Sequence, residues 1–496
     1  MRPLFAFTIA LVVTALSLGN SFSPFQITCG VAVTLILTVT YPPSKRWARE
    51  VNGVAALAGV ALVLIHPLAS PSPPILQPLS FLRGNVCSVV RTVDGIQKFT
   101  VCTSVGRFAV RAKGSTVSSG DLVDVVGSFV SASGPRNVGE FDYAKWCATH
   151  HIVGVSKGTS TISDVRAPRF ELGCLVQEVR NYVDSVVDVN LPLATAPLAS
   201  GILLSITDDL PYELQEAFAT TGTIHVLSTS GMHLSVLVGA IGVVLFWSGK
   251  LLNRALSMGV SMVIGMASGG GPAPMRSVNS LACRVLAFYL QRNPEPWHIT
   301  CLAACIALIW DPLVAMEAGA QLSFIAVSGL ILSGPLMDPI EAARRIQRRP
   351  LVSFLIVVLQ AIIISLCVSI LTYPVIAYHM HHISLIAPLA NLPISLLGEW
   401  ALLLGGAAIA LSWMPLLGGI LWASVHGTLL VMIRVTEALS SISNIDYATG
   451  LIAGPVAGSL TIIAFSILYA LGRHLRRKSQ ITEQQYKVPW SILSQV

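Results

Sequence analysis

The stretch His225-Val-Leu-Ser-Thr-Ser-Gly-Met-His-Leu gathers His225, Ser228, Thr229, Ser230, Gly231 and His233 at the head of a run that stays apolar to Trp247. Imidazole beside hydroxyl suits two chemistries: a nucleophile and base pair, Ser230 with His233, or a hydrogen-bonding lining for an anion. Spacing favours the second. His233 follows Ser230 by three residues with no third group to orient it, so no catalytic residue is assigned and an intramembrane hydrolase is the weaker reading. A secondary transporter of an anionic substrate is the other alternative, although no internal repeat of the kind many transporters carry is evident. Hydrocarbon cannot hydrogen-bond hydroxyls or an interrupted backbone, so such a run at membrane depth must face protein or a water-filled path.

A second interruption follows at Gly269-Gly-Gly-Pro-Ala-Pro274, where glycines stop one helix and proline starts the next. Arg276 is then expected at the outer mouth. Arg284, two turns deeper on roughly the same face, is expected inside the protein, where an arginine is costly unless it meets an anion or an acid. His379, His381 and His382 form the densest imidazole cluster, but no carboxylate is near in sequence, and no metal or cofactor is expected. No G-x-x-x-x-G-K-[ST] loop is present.

These residues need long apolar elements to hold them, and the composition supplies them. Of 496 residues, 53% are hydrophobic and 11% charged, a multi-span membrane protein rather than a soluble globule. About twelve apolar runs are long enough to cross. Three precede a polar segment: Leu4 to Gly19, Phe25 to Tyr41 and Val51 to Ala69. Nine follow it: His225 to Trp247, Ala255 to Ala267, Ser277 to Leu290, Ile299 to Trp310, Gln321 to Leu336, Leu351 to Tyr378, Ile383 to Leu411, Leu416 to Ala438 and Leu451 to Leu471. Basic clusters at Lys45 to Arg49, Lys250 to Arg254, Arg344 to Arg349 and Arg473 to Lys478 all fall on one side of this map. That side is the cytoplasm, with both termini in it, because Lys and Arg accumulate in cytoplasmic loops. The net charge of +7 is accounted for by those loops and is no nucleic-acid signature by itself.

The map puts the segment from Ser70 to about Gly222 outside. After a proline-rich linker it reads as a small β domain, with β-branched runs at Gly84 to Arg91, Ile96 to Cys102, Arg107 to Ala112 and Leu122 to Val130. Such spacing suggests a compact barrel of the OB type, which binds single strands through a basic groove and aromatic platforms. Lys98, Phe99, Arg107, Phe108, Arg111 and Lys113 have that chemistry; a core Phe pair with solvated charges is the bland alternative. Cys87 and Cys102 are a disulfide candidate in an oxidising exterior. An amphipathic helix is expected between Phe170 and Asp184.

Several motifs occur in fixed order: Asn137-Val-Gly-Glu-Phe-Asp-Tyr-Ala-Lys-Trp, Ala196-Pro-Leu-Ala-Ser-Gly, Glu213-Leu-Gln-Glu-Ala-Phe and the His225 run. Pro272 to Arg276, Asp311-Pro, Gln321-Leu-Ser-Phe-Ile-Ala-Val-Ser-Gly, Tyr373-Pro and His382-Ile-Ser-Leu-Ile-Ala-Pro continue the series. Together, over about residues 80 to 400, they resemble the ComEC family, the membrane DNA channels of natural competence. The resemblance implies a channel passing single-stranded DNA into the cytoplasm, with Gln321 and Ser323 added to the path. Long members of the family carry a metallo-β-lactamase-like domain, but no H-x-H-x-D-H motif occurs here.

The expectation is therefore a polytopic α-helical protein of the plasma membrane with an external OB-like domain. Its parts are helices over 1–70, the β domain over 71–165, an interfacial segment over 166–222, the channel over 223–472 and a cytoplasmic tail over 473–496. Expected partners are single-stranded DNA, membrane lipid, a DNA receptor outside and a motor or single-strand-binding proteins inside; either a separate nuclease degrades the other strand or it is removed in another way.

Overall fold

The computed structural model of the chain describes residues 77–486 apart from 89, 138–139, 167–171, 208, 229–230, 245–248, 292–294, 347–348 and 443–445. The three expected N-terminal spans lie outside the described residues. The chain divides into two compact units, one comprising Met1–Glu216, Ile224–Gln321 and Leu397–Val435, the other Ala217–Thr223, Leu322–Leu396 and Thr436–Val496.

The first unit begins with a barrel: β1 (Leu79–Val86), β2 (Arg91–Val93), β3 (Ile96–Cys102), β4 (Arg107–Lys113), β5 (Leu122–Val130), α1 (Tyr143–Thr149), β6 (Ile152–Ser156) and β7 (Ser160–Arg166). The sheet closes because β1 pairs with both β3 and β5, β3 with β4, and β4 with β6 and β7, which return to β5. β4 runs parallel to β6 and β7; the other pairings are antiparallel. Apolar and polar residues alternate along β3 and β4, so each strand buries one face and wets the other. Phe99, Val101, Phe108, Val110, Val123, Val125 and Phe129 fill the interior, with Phe108 edge-on to Phe129. Cys87 and Cys102 are joined by a disulfide across the β1–β3 edge, with Cα atoms 5.9 Å apart.

Two helices link the barrel to the apolar part, the expected amphipathic one, α2 (Leu172–Asn190), and α3 (Ala196–Leu204). From α2, the Gln177 amide holds Val90 of the barrel by both backbone groups, accepting from its N–H at 2.8 Å and donating to its carbonyl at 3.2 Å. One turn on, the Arg180 guanidinium is 3% exposed and donates to the Ala267 carbonyl at 2.7 Å. That carbonyl is one of the last four of its helix and has no partner within it, so the arginine satisfies an orphan acceptor.

Next come α4 (Tyr212–Thr220), a 3₁₀ turn (Ile224–Leu227), α5 (Gly231–Val244), α6 (Lys250–Ala267), α7 (Pro272–Tyr289), α8 (Pro296–Trp310) and a second 3₁₀ turn (Pro312–Met316). Then follow α9 (Ala318–Ile346), α10 (Pro350–Met380), β8 (His382–Ser384), α11 (Ala387–Ala410), α12 (Pro415–Ser440), β9 (Asp446–Ala448) and α13 (Gly454–Tyr486). Among the described residues five segments are long and apolar enough to cross a membrane: Ala318–Glu341, Pro350–Met380, Ala387–Ala410, Pro415–Ser440 and Gly454–Leu475. They correspond to the last five expected runs. Shorter apolar helices occupy His233–Val243, Leu252–Ala267 and Pro296–Trp310, three further expected positions. Twelve crossings are thus not established: among the described residues five segments qualify by length and apolarity, three runs are shorter, and the run from Ser277 to Leu290, in α7, is in neither group.

In the second unit, α9 and α10 approach closely at Gly329, where an added β-carbon would lie 3.0 Å from the Val368 backbone. β8 pairs with β9 antiparallel, and His382 Nδ1 lies 3.1 Å from an Asp446 carboxylate oxygen. Gly222 takes φ of +72° and packs against Ser384 and Ala387, a place no β-carbon could occupy.

Candidate functional site

A short 3₁₀ turn and the helix α5 flank the expected break. The turn Ile224–Leu227 buries Val226 and Leu227 while His225 and Ser228 stay exposed, and the Ser228 hydroxyl donates to the His225 carbonyl at 3.0 Å. Thr229 and Ser230 lie outside the described residues. The backbone restarts as α5 at Gly231, and His233, two residues in, is 2% exposed.

α7 faces this restart. Its proline start follows the glycine run, as expected, with Gly271 in extended geometry at the cap. A β-carbon on Gly231 would meet both the Arg276 guanidinium and the Ser277 hydroxyl, so glycine is what lets the arginine lie against the start of α5. Arg276 is half-buried and also donates to the Ser277 hydroxyl at 3.3 Å. The first N–H groups of a helix have no partner within it and carry the positive end of its dipole. A guanidinium, a hydroxyl and such a terminus converge here, an arrangement that attracts an anion.

Arg284 does not join Arg276. Its side chain is exposed, and the expectation that it lies inside on the same face is corrected. Eight residues at 100° each leave the two side chains about 80° apart around the helix. Arg284 also sits only about 8 Å along the axis from the last residue of α7, within snorkelling reach of the interface. Arg254, near the start of α6, lies over the Phe288 ring at the same end of α7, 3.2 Å from its centroid.

Gln321 donates to the Ala315 carbonyl at 2.8 Å, fixing the second 3₁₀ turn against the start of α9. Ser323 is half-buried on that helix, in the other unit.

On the barrel, register and burial divide the six expected residues into two groups. Lys98 stands opposite Arg111, and Arg91 stands opposite Lys98, so three cations line up across β2, β3 and β4. Arg107 and Lys113 share the exposed face of β4 with Arg111. Phe99 and Phe108 point the other way, 5% and 0% exposed. Their expected role as stacking platforms is corrected, because neighbours in a strand face opposite sides and the phenyl rings therefore build the core.

Other aromatics stand at the surface. Glu140 accepts from the Arg136 and Asn137 backbone N–H groups at 3.0 and 3.1 Å, and Asp142 caps α1 by accepting from the Lys145 N–H at 2.9 Å. The helix so fixed carries Tyr143 and Trp146, 38% and 36% exposed, with Phe141 at 70% just before it. Tyr143 stacks on Trp146 at 5.6 Å between centroids, and Trp146 on His150 at 4.1 Å.

The stack ends at the second 3₁₀ turn. His150 Nε2 lies 3.5 Å from a Glu317 carboxylate oxygen, and His151 Nε2 lies 3.3 Å from Asp311, which also accepts from the Leu313 N–H at 2.9 Å. Burial holds the His150 imidazole below its ordinary value and pushes the Glu317 carboxyl up to about 7, with the charge of Asp311 adding to the second shift. Sequence reasoning missed these contacts. Their partners are more than a hundred residues apart, and the one local signal was the Glu140-Phe-Asp-Tyr run.

The family described as Competence protein matches residues 202–476, more than half of the chain, and the match includes the broken helix, α7 and all five long apolar segments. The chain is 24% identical over 347 residues to ComE operon protein 3 of Bacillus subtilis (strain 168), covering 67% of this chain and 41% of that protein. It therefore spans less than half the length of this relative. No solved structure matches it. The ordered motifs and the matched helices lead to one conclusion: the chain belongs to the ComEC-type competence protein family.

Proposed function

We propose that this protein passes single-stranded DNA through the plasma membrane into the cytoplasm during transformation. One observation carries the reading: the Arg276 guanidinium lies against the restart of a broken helix, with the Ser277 hydroxyl beside it. A strand bears about one negative charge per nucleotide, and bringing it to membrane depth requires donors and positive charge along its path. Arg276 guides phosphates, and the segment from Ser228 to Gly231, with His225 and His233, lines the narrowest part of the route. Gln321 holds the turn next to the path.

The barrel is the external receiver. Its ring of strands with a parallel β4–β6 pair supports the OB-like reading, and the row Arg91, Lys98 and Arg111 supplies the basic face. Its histidines meet the Asp311–Glu317 turn, on the side to which the charge map assigns the barrel, with both termini in the cytoplasm. A receptor outside and a motor or single-strand-binding proteins inside are the partners this activity calls for. The test is uptake of fluorescent DNA, scored separately outside and inside the inner membrane, in cells carrying Arg276→Ala. Loss of internal signal with the variant still in the membrane supports the channel, and normal entry refutes it.

A further inference from the structure

We propose that the short helix α1, through Phe141, Tyr143 and Trp146 with Arg107 beside them, seats the barrel in the headgroup layer of the membrane's own glycerophospholipids. The inference needs only that α9 crosses a membrane, so it stands or falls apart from the channel reading.

The rings lie outside the core of the barrel. Phe99, Phe108 and Phe129 fill the interior, while Phe141 is 70%, Tyr143 38% and Trp146 36% exposed. Tyrosine and tryptophan collect at the boundary of lipid and water, since each joins an apolar ring to a polar tip. Trp146 is also stacked from both neighbouring turns of the helix, by Tyr143 at 5.6 Å and by His150 at 4.1 Å. Its faces are therefore covered, which leaves little room for a nucleobase to stack, whereas ring edges suffice for contact with lipid.

The depth of α1 is set by the end that holds His150. His150 Nε2 lies 3.5 Å from Glu317, and His151 Nε2 lies 3.3 Å from Asp311. Those two carboxylates bracket the turn between the end of α8 at Trp310 and the apolar segment Ala318–Glu341. A turn that leads directly into a helix of membrane length sits at the edge of the hydrocarbon. Trp146 is one helical turn from His150, about 6 Å along the axis, and the headgroup layer on each side of a bilayer is about that deep. Trp310, 83% exposed at the end of α8, is a second tryptophan beside the same ion pairs.

The adjoining end of the barrel has matching chemistry. Val105, in the turn between β3 and β4, is 65% exposed. That turn packs on β6, where a β-carbon on Gly106 would lie 2.8 Å from Val153. Arg107 follows, in register with Ile152, and its charge reaches His150. An arginine at a lipid surface lays its stem along apolar groups and keeps its guanidinium among the phosphates.

The test uses the full chain in phosphatidylcholine nanodiscs, with a bimane on Phe141→Cys, a position ahead of α1, and the unaltered protein treated alike as the blank. Lipid brominated on the upper acyl chain is expected to quench the label, and aqueous iodide to reach it at least about fivefold less well than it reaches a bimane–cysteine conjugate in water. Tyr143→Ser with Trp146→Ser on the labelled chain is expected to cut the lipid quenching by about half or more, and Tyr143→Phe with Trp146→Phe to keep it. A label open to iodide and untouched by brominated lipid overturns the proposal. Iodide protection that appears only when oligothymidylate is added overturns it too and gives this face to nucleic acid. Lipid quenching left unchanged by the serine pair overturns the role of the rings.

Discussion

The guanidinium of Arg276 lies where a β-carbon on residue 231 would stand, and the two positions are 45 residues apart in the chain. Alanine is the better helix former, so Gly231→Ala would ordinarily strengthen the start of α5 by about 0.5–1 kcal/mol. Here the opposite is expected, since the methyl group must displace both Arg276 and Ser277, at about 1–3 kcal/mol for a crowded site. Gly231→Ala should therefore lower DNA entry about tenfold, comparably to Arg276→Ala, with the protein still in the membrane. Transformation frequency alongside membrane abundance checks it.

The contact between His150 and Glu317 makes the junction of barrel and turn sensitive to pH. Glu317 is raised by burial and by Asp311, from an ordinary 4.5 to about 7. Its contribution to stability is fully present below 4.5 and lost as pH rises through about 7, an effect on the order of 3 kcal/mol. His150 is shifted down, chiefly by burial, so its loss comes on the acid side, as pH falls below its ordinary 6.5. Glu317→Gln keeps the neutral form at every pH. Thermal melts of the solubilised protein should show the unaltered chain losing stability relative to the variant as pH rises from about 4.5 to about 7, with the difference constant above that and the two converging near pH 4.5.

On the barrel, core and binding face can be separated by substitution. Phe108→Ala empties the centre of the interior and should cost about 3–5 kcal/mol of stability. Lys98→Ala with Arg111→Ala should leave the melting temperature unchanged or slightly raised, because it removes a repulsion across the strands. If both residues contact phosphates, the salt dependence of single-strand binding should fall by about 0.7 in logarithmic slope for each. Unchanged slope with intact affinity would remove this face from the route.

The same six barrel residues show what was legible in the sequence. Strand alternation itself places Lys98 and Phe99 on opposite faces, as it does Arg107 and Phe108, so grouping them by chemistry alone put core rings in a binding groove. The long apolar runs were legible because their length and composition carry the signal without help from the rest of the fold. Arg276 was legible through the glycine and proline residues before it; Arg284 was misplaced because two turns of helix do not bring a residue back to the same face. The pairings of His150 with Glu317 and His151 with Asp311 had no local signal, since each joins segments about 160 residues apart. The stack on α1 was within reach, since Tyr143 and Trp146 are three apart on one helix face, but the run was read only as a family motif.

The Cys87–Cys102 disulfide offers a test of which side of the membrane holds the barrel. It closes a loop with a sequence separation of 15, and a crosslink of that size stabilises a domain by about 3 kcal/mol, chiefly by restricting the unfolded chain. Disulfides persist on the oxidising side of a bacterial membrane and are rare in its cytoplasm. A barrel on the outer side should therefore carry blocked thiols at both positions when cells are labelled after alkylation, and free thiols only after reductant. Replacing both cysteines with serine should lower the stability of the barrel to the level of the reduced protein, and reductant should then have no further effect. Free thiols in untreated cells would place the barrel in the cytoplasm and reverse the direction assigned to every helix that follows it.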